Sequence, residues 1–407
     1  MSVQAVGAPP ARDGGTAFPA GPGTVALLVA TALVVLAQLY AAIPLLEPVG
    51  ASLGGEATIA LSTVYSLCYA SGFLLWGPLA DRFGRRRVLT LGLTGLVVTT
   101  AACATAGSLA VLAVLRGAQG LAAASFAPVA LAYLSEAVRP RLRALAIGAM
   151  STAFLTAGII GQVVAQTVAE QLGWSWLFAG SAVVLAGCVL LTLAVVREPR
   201  GRTPSGDLGQ QFTAVARLLG RRTVVLLCAA HVTLLLAFVA MYTALGGHLA
   251  GLGHGSDTVL LLRLVALPGM VMSLATGPLT RLLGGVAGVA RAGYLLAAGG
   301  LLAQAAVSGS LVGTAVAGIV FVTGTALAVP SMITLFGEAA APRRAGGMAL
   351  NGLVLFTGAS LGPIVARVDL PFAALLGVLA GLLTLAAASV TLAFRGPRPA
   401  QQQVLVR

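Results

Sequence analysis

The chain has 407 residues, of which 58% are hydrophobic and 9% charged, against roughly 25% charged in a soluble domain. So few charges cannot cover a folded chain of this length with a water-facing surface, which excludes a soluble globular domain and makes the bilayer the solvent. The net charge of +13 does not indicate nucleic acid: there is no Lys, and the Arg residues sit in short clusters between apolar runs.

Residues 1–22 are rich in Ala, Gly and Pro and are expected to be a disordered tail. The apolar run that begins near Val25 is too long for the core of a signal peptide and lacks a basic region just before it, so it reads as a retained membrane helix. A spanning helix needs roughly 20 apolar residues. Such runs fall near 24–46, 58–80, 87–107, 109–135, 144–168 and 174–196. After a polar segment come 223–245, 258–280, 289–307, 310–336, 346–366 and 371–394. The predicted architecture is therefore all-helical and membrane-embedded, with twelve spans in two six-helix units at 23–197 and 223–395. A central loop at 198–222 joins them, and a tail follows at 396–407.

The loops alternate in charge. Arg82, Arg85, Arg86 and Arg87 follow the second run, and Arg139, Arg141 and Arg143 the fourth. Arg197, Arg200, Arg202, Arg217, Arg221 and Arg222 occupy the central segment, Arg343 and Arg344 follow the tenth run, and Arg395, Arg398 and Arg407 end the chain. The other loops carry mainly Glu47, Glu56, Glu170, Asp257 and Asp369, with Arg367 as the exception. The bias toward Arg on alternate loops predicts that both termini and the central loop are cytoplasmic, in a cell membrane.

The chain also repeats itself. Gly77-Pro78-Leu79-Ala80-Asp81-Arg82-Phe83-Gly84 is answered by Gly277-Pro278-Leu279-Thr280-Arg281-Leu282-Leu283-Gly284. Pro128 and Glu136 are matched by Pro330 and Glu338, and Gly158 and Gly161 by Gly358 and Gly362, all at offsets of 200 to 202. Parallel halves of this kind imply a two-fold axis along the membrane normal, with a binding site where the halves meet.

The segment Gly77-x-x-x-Asp81-Arg82-x-Gly84-Arg85-Arg86-Arg87 permits its own reading. Gly77 and Gly84 allow a tight turn and close helix packing, and an acid at a helix N-terminus is favoured by the dipole. The segment resembles the signature loop of the major facilitator superfamily, and the likeness runs from about residue 24 to the end of the last helix. It implies alternating access, with Asp81 latching the halves together against the end of the eleventh helix. In the second copy Arg281 replaces the acid, so the latch is one-sided. The same resemblance expects Glu136 to meet the basic residues of the 82–86 turn.

Arg116-x-x-Gln119-Gly120 resembles the superfamily's fourth-helix Arg motif, which implies a role in coupling or substrate binding. Arg116 lies roughly 12 Å deep at 1.5 Å per residue. A charge there costs on the order of 3 kcal/mol, so a cavity-facing position is expected. In the fifth helix Gly158-x-x-Gly161-Gln162 departs from the drug–proton antiporter pattern, which has Pro where Gln162 stands; Gly358-x-x-x-Gly362-Pro363 in the eleventh keeps it better. Close helix packing also accounts for these four glycines.

The polar residues inside helices are Gln38, Tyr40, Tyr65, Tyr69, Gln162, Gln166, His231, Tyr242, Arg263 and Asn351. The resemblance places them on helices around the central cavity, and as a set they predict a largely apolar cavity with a few hydrogen-bonding groups. Asp and Glu are absent from mid-helix positions, where the deep charges are Arg116 and Arg263. The expected solute is therefore a small neutral or anionic organic molecule. Efflux in exchange for protons is the leading expectation, and uptake of a metabolite or organic anion by proton symport is the alternative. A non-transporting receptor or scaffold on the same fold is a more distant one. No nucleophile–base pair, phosphate loop or metal cluster is visible, so neither enzyme chemistry nor a cofactor other than the coupling proton is expected. Cys68, Cys103, Cys188 and Cys228 sit in apolar runs and read as packing residues. Nothing in the sequence argues against a monomer.

Overall fold

The computed structural model describes residues 20–198, 209, 213, 216–341 and 344–394. Residues 1–19 of the expected N-terminal tail, the C-terminal tail with Arg395, Arg398 and Arg407, Arg343, and most of the expected central loop with Arg200 and Arg202 lie outside the described residues. Within them there are helices and turns but no strand.

Among the described residues, twelve helical rods of the two halves follow in chain order. In the first half they are α1 (Pro22–Tyr40, prolonged by Ala42–Leu53), α2 (Val64–Phe83, entered through a π-turn at Ile59–Thr63), α3 (Arg85–Cys103) and α4 (Leu109–Ala123 and Phe126–Ala137). They continue with α5 (Pro140–Gln171) and α6 (Trp174–Val195). In the second half they are α7 (Arg222–Gly251), α8 (Ser256–Val265 through Thr276–Leu282), α9 (Val286–Ala306), α10 (Leu311–Ala339), α11 (Arg344–Val365) and α12 (Phe372–Ala393). Eleven of these rods are long and apolar enough to span a bilayer unaided. The other is α3, whose first turn is Arg85-Arg86-Arg87.

Besides α7, which runs six residues past the expected 245 to Gly251, two places differ most from the sequence reading. The first rod starts at Pro22, where a proline fits the unbonded first turn. It then runs on to Leu53 with Pro48 inside, because Gly54 takes the left-handed conformation (φ 72°) that ends it. The other is α8, where Pro268 opens a short segment and a 3-10 turn at Met272–Ala275 precedes Gly277-Pro278.

The packing repeats as the sequence does. In the first half α1 packs on α5, α2 on α4, and α3 on α6; in the second α7 packs on α11, α8 on α10, and α9 on α12. The halves meet where α2 packs on α11 and α5 on α8, which are equivalent contacts under the same two-fold relation. The rods carry Leu91, Val114, Val183, Leu190, Val312 and Leu385 on their outer surface, each more than half exposed. Apolar surface of that extent suits lipid rather than water.

Candidate functional site

A cavity of about 400 Å³ lies between the halves. Its walls include Leu36, Tyr40 and Phe73 from the first half and Leu235, Asn351 and Phe356 from the second. One end is closed by aromatic rings: Tyr69 meets Phe356 edge-on at 4.4 Å and Phe73 at 5.3 Å, and Tyr40 meets Phe238 at 6.0 Å. The other end reaches Asp81, Arg85 and Glu136 at the Arg-rich face.

Those three groups form one ionic cluster. Arg85 pairs with Asp81 one turn earlier, and its Nη2 donates to Glu136 Oε1 at 2.8 Å. Both acids thus draw Arg85 to the cavity mouth, although its side chain is only 8% exposed. Arg82 is exposed and rests over the Phe83 ring, while Arg86 donates from Nη2 to the Leu193 carbonyl at 2.7 Å.

The loop is held by a residue that the sequence reading passed over. Glu198, just beyond α6, accepts from the Arg85 amide with Oε1 and from the Arg86 amide with Oε2, both at 2.8 Å. A carboxylate on the first free N–H groups of α3 satisfies the helix end and its dipole together. Gly84 makes room for it: its φ is +105°, and a Cβ there would stand 3.1 Å from the Glu198 carboxylate. Gly77 differs from expectation. It lies inside α2 at no turn, has no atom within 4 Å of where a Cβ would be, and lines the cavity instead.

Arg116 also departs from its expected place. It is 1% exposed and is not part of the cavity wall; it lies within the first half. Its guanidinium donates to the Leu61 carbonyl (2.9 Å), to Gln119 Oε1 (2.6 Å) and to the Gln38 carbonyl (3.1 Å), and lies over the Tyr65 ring at 4.0 Å. The charge is therefore solvated by carbonyl dipoles and a ring face. The π-turn Ile59–Thr63 carries the Leu61 carbonyl. Gln119 completes the network by donating to Thr100 Oγ1 at 2.8 Å, and Gly120 allows α4 to lie against the Tyr65 backbone.

The remaining polar residues divide by place. Tyr40 and Asn351 line the cavity. Asn351 Nδ2 stands 2.8 Å from His231 Nε2, and His231 is fully buried behind it. Tyr65 and Tyr69 stack on each other at 6.0 Å in the aromatic layer, and Tyr242 packs on Phe238 at 5.0 Å. Gln38 borders a separate cleft of about 310 Å³ between α1, α5 and α6. Gln162 donates to the Gly158 carbonyl one turn back in α5.

Arg263 and Gln166 tie α8 to α5 across the halves at 2.7 Å, at the end away from the Arg-rich face, and Gln166 also donates to Glu170. Two further ties join the halves there. Thr63 donates to the Ser360 carbonyl at 3.5 Å, and Arg367 pairs with Glu56. Arg367 was the exception among the acidic loops, and its acidic partner explains it. Burial raises the Glu56 carboxyl, but the Thr58 hydroxyl and amide and the Arg367 cation outweigh this and hold it below the ordinary carboxylate range.

The glycines of α5 and α11 serve packing. A Cβ on Gly161 would stand 2.8 Å from Ala37 Cα, and one on Gly362 would stand 2.7 Å from Val239 Cβ. Gly358 lies closer still, with a Cβ there 2.0 Å from the Val232 carbonyl oxygen. Gly158 is looser, with its nearest neighbour the Phe238 ring at 3.4 Å. The four cysteines are free thiols.

Residues 27–363 match the family model of the Major Facilitator Superfamily. Among characterised relatives, the Tetracenomycin C resistance and export protein of Streptomyces glaucescens is 34% identical over 148 residues, covering 35% of this chain and 28% of that one. The drug efflux pump JefA of Mycobacterium tuberculosis is 35% identical over 146 residues, again covering 35% and 28%. The matched segments thus span less than a third of these relatives. The crystal structure of the human organic anion transporter MFSD10 (TETRAN) superposes with a TM-score of 0.70 at 17% identity, covering 91% of this chain and all of that one.

Proposed function

The chain belongs to the major facilitator superfamily, and from that premise we propose that it exports a small, neutral, amphipathic organic solute in exchange for protons. As a member of that family it is a multi-pass membrane transporter and not an enzyme. The observation that carries the proposal is the cavity between the halves, apolar along its length and charged only at its mouth. The ties across the halves at the opposite end support a resting state closed there and open toward the Arg-rich face. The arginine bias of that face supports assigning it to the cytoplasm of a cell membrane.

The wall favours a neutral over an anionic solute, because Arg116 and Arg263 are both buried elsewhere and engaged by carbonyl oxygens. Export is supported by the names of the relatives, an export protein and an efflux pump. The protein works as a monomer in this reading, with a proton as the coupling ion. Asp81 and Glu136 are the carboxylates on the cavity through which coupling could act.

The test is the proton gradient in inverted vesicles containing the full chain. A panel of neutral, anionic and cationic compounds is added in turn, with Asp81→Asn vesicles alongside. Collapse of the gradient by neutral compounds, reduced in the variant, is expected. Collapse by anions alone would overturn the assignment of charge. Solute uptake into whole cells driven by the gradient would replace export by symport.

A further inference from the structure

Among the described residues, the second copy of the repeated segment, Gly277 to Gly284, has no part in the cavity wall, and neither has the rest of α8. Its counterpart α2 contributes Phe73, Gly77, Ala80 and Asp81 to that wall. The two seams between the halves nevertheless begin alike. Phe73 corresponds to Ser273, and Thr152 to Gly352, each at an offset of 200. Both pairings across the halves are contacts. The Phe73 ring lies against Gly352, where a Cβ would overlap it, and the Thr152 and Ser273 hydroxyls share a hydrogen bond at 3.3 Å.

Toward the Arg-rich face the seams diverge. Residues three or four apart share one face of a helix, and on α5 the face toward α8 carries Thr152, Gly148 and Leu145. Thr152 holds Ser273, and a Cβ on Gly148 would stand 3.6 Å from Leu274 Cδ2. Leu145, the next along that face, is 68% exposed. The course of α8 explains the parting. Its residues up to Ala275 pack on α5, but after the 3-10 turn the segment Thr276–Leu282 packs on α9 and α10 and buries none of its own residues. Gly277 is exposed, with no atom within 4 Å of where a Cβ would be. On the other seam, Gly77 and Ala80 of α2 and Met348 and Ala349 of α11 still wall the cavity at the corresponding level.

The parting leads into the cavity. Ile147 and Ser151, beside it on α5, belong to the cavity wall, as do Val329 and Ile333 on α10. Gly148 lies about 12 Å from the Pro140 end of α5 at 1.5 Å per residue. The 32 residues of α5 run about 48 Å, against a hydrocarbon core of about 30 Å. The gap therefore stands at the edge of the core on the Arg-rich side, flanked by the exposed side chains of Leu145 and Leu274. A solute entering by the cavity mouth must leave lipid for water and pass Asp81, Arg85 and Glu136. Through the gap its apolar body stays among apolar groups.

We propose that the gap between α5 and the last segment of α8 is a side entrance to the cavity from the bilayer leaflet on the Arg-rich side. The proposal rests on the transport reading above and narrows its solute to an amphiphile that dissolves in the membrane and reaches the cavity from lipid rather than from water. Gly277 keeps the entrance clear, which gives the second copy of the repeat a role different from the first.

The test uses the full chain in lipid nanodiscs, with its four cysteines replaced and a bimane label on Ser151→Cys beside the gap or on Ala349→Cys on the α11 wall. The quenchers are methyl 5-doxylstearate, a neutral amphiphile dissolved in the bilayer, and TEMPOL, a neutral nitroxide dissolved in water. The bilayer-borne quencher should dim the label at 151 severalfold more than the label at 349. Gly277→Trp should remove that excess and leave quenching by TEMPOL as it was. Equal quenching of the two labels by the doxyl ester overturns the side entrance, and this comparison decides the matter if Gly277→Trp does not fold. An excess that survives Gly277→Trp, or a variant that loses TEMPOL quenching as well, overturns the role of Gly277. In the vesicle assay, Gly277→Trp should weaken gradient collapse by compounds that partition into lipid and spare those that stay in water; a uniform loss overturns the route. A wild type that answers no compound in that assay counts against transport itself, while the quenching still decides whether the entrance exists.

Discussion

Two contacts bear the most testable weight at the smallest scale. Arg116 holds three carbonyl oxygens on three elements with one planar fork. A lysine keeps the charge but has a compact ammonium that cannot reach in all three directions. Arg116→Lys should therefore lose at least one charge-assisted bond, worth about 1.5–3 kcal/mol. It should melt earlier than wild type in detergent, with Arg116→Gln earlier still. A lysine variant that melts with the wild type would refute the fork argument. Glu198 and Gly84 form the second case, since the carboxylate occupies the space that a Cβ would take. Glu198→Gln and Gly84→Ala should each cost about 1 kcal/mol through the same helix end. The double variant should cost less than the sum, because both act on one contact. Strict additivity would separate them. Neither partner set could be read from the sequence. A carbonyl acceptor leaves no residue-type signature, and Glu198 stands among arginines that drew the reading toward topology alone.

At the scale of the helix, the glycines that look alike in sequence are unequal in place. Gly161 and Gly362 sit where a neighbouring helix leaves under 3 Å for a Cβ, whereas Gly158 has 3.4 Å to the edge of a ring. Gly161→Ala and Gly362→Ala should each destabilise by about 1–3 kcal/mol through overpacking. Gly158→Ala should be close to neutral. Thermal unfolding of the three variants in one detergent checks the order, and a Gly158→Ala as damaging as the other two would break it. The spans themselves were legible, because apolar run length decides a membrane helix almost alone. So was the doubling, since the matched glycines Gly161 and Gly362 serve equivalent α1–α5 and α7–α11 contacts. The internal breaks were not. The step in α4 at Ala124–Ser125 and the 3-10 turn in α8 depend on neighbours that pack there, such as Ser125 against Gly92 and Gly269 against the Ile319 carbonyl. Arg116 was misplaced for a related reason. Depth alone made the cavity its default, while carbonyls within its own half solvate it.

For the molecule as a whole, the ties between halves set which face is closed. Glu56 with Arg367, Thr63 with Ser360 and Gln166 with Arg263 all lie at the end away from the arginine clusters. The Glu56 carboxyl is held below its ordinary range only while Arg367 and Thr58 are near. When that face opens, Arg367 leaves and its share of the lowering is lost, while the Thr58 hydroxyl and amide stay with Glu56. Its contribution to closure is therefore fully present above the ordinary carboxylate pKa and is lost as pH falls through the lowered one. Both side chains are substantially exposed, 50% for Arg367 and 44% for Glu56. The pair is then worth about 0.2–1 kcal/mol, or up to roughly a five-fold change in population. Acidifying this face should shift molecules toward the conformer open there. Glu56→Gln should show that shift already at neutral pH and respond no further. Spin labels at positions 51 and 368, on a background with the four cysteines replaced, report the distance between the halves. A distribution in the wild type that ignores pH down to the acid range, or a Glu56→Gln variant that still titrates there, would remove Glu56 from the closure. A population shift of the expected size would make this ion pair a bias on the alternating cycle and leave the Gln166–Arg263 and Thr63–Ser360 ties to hold the face once Glu56 is protonated.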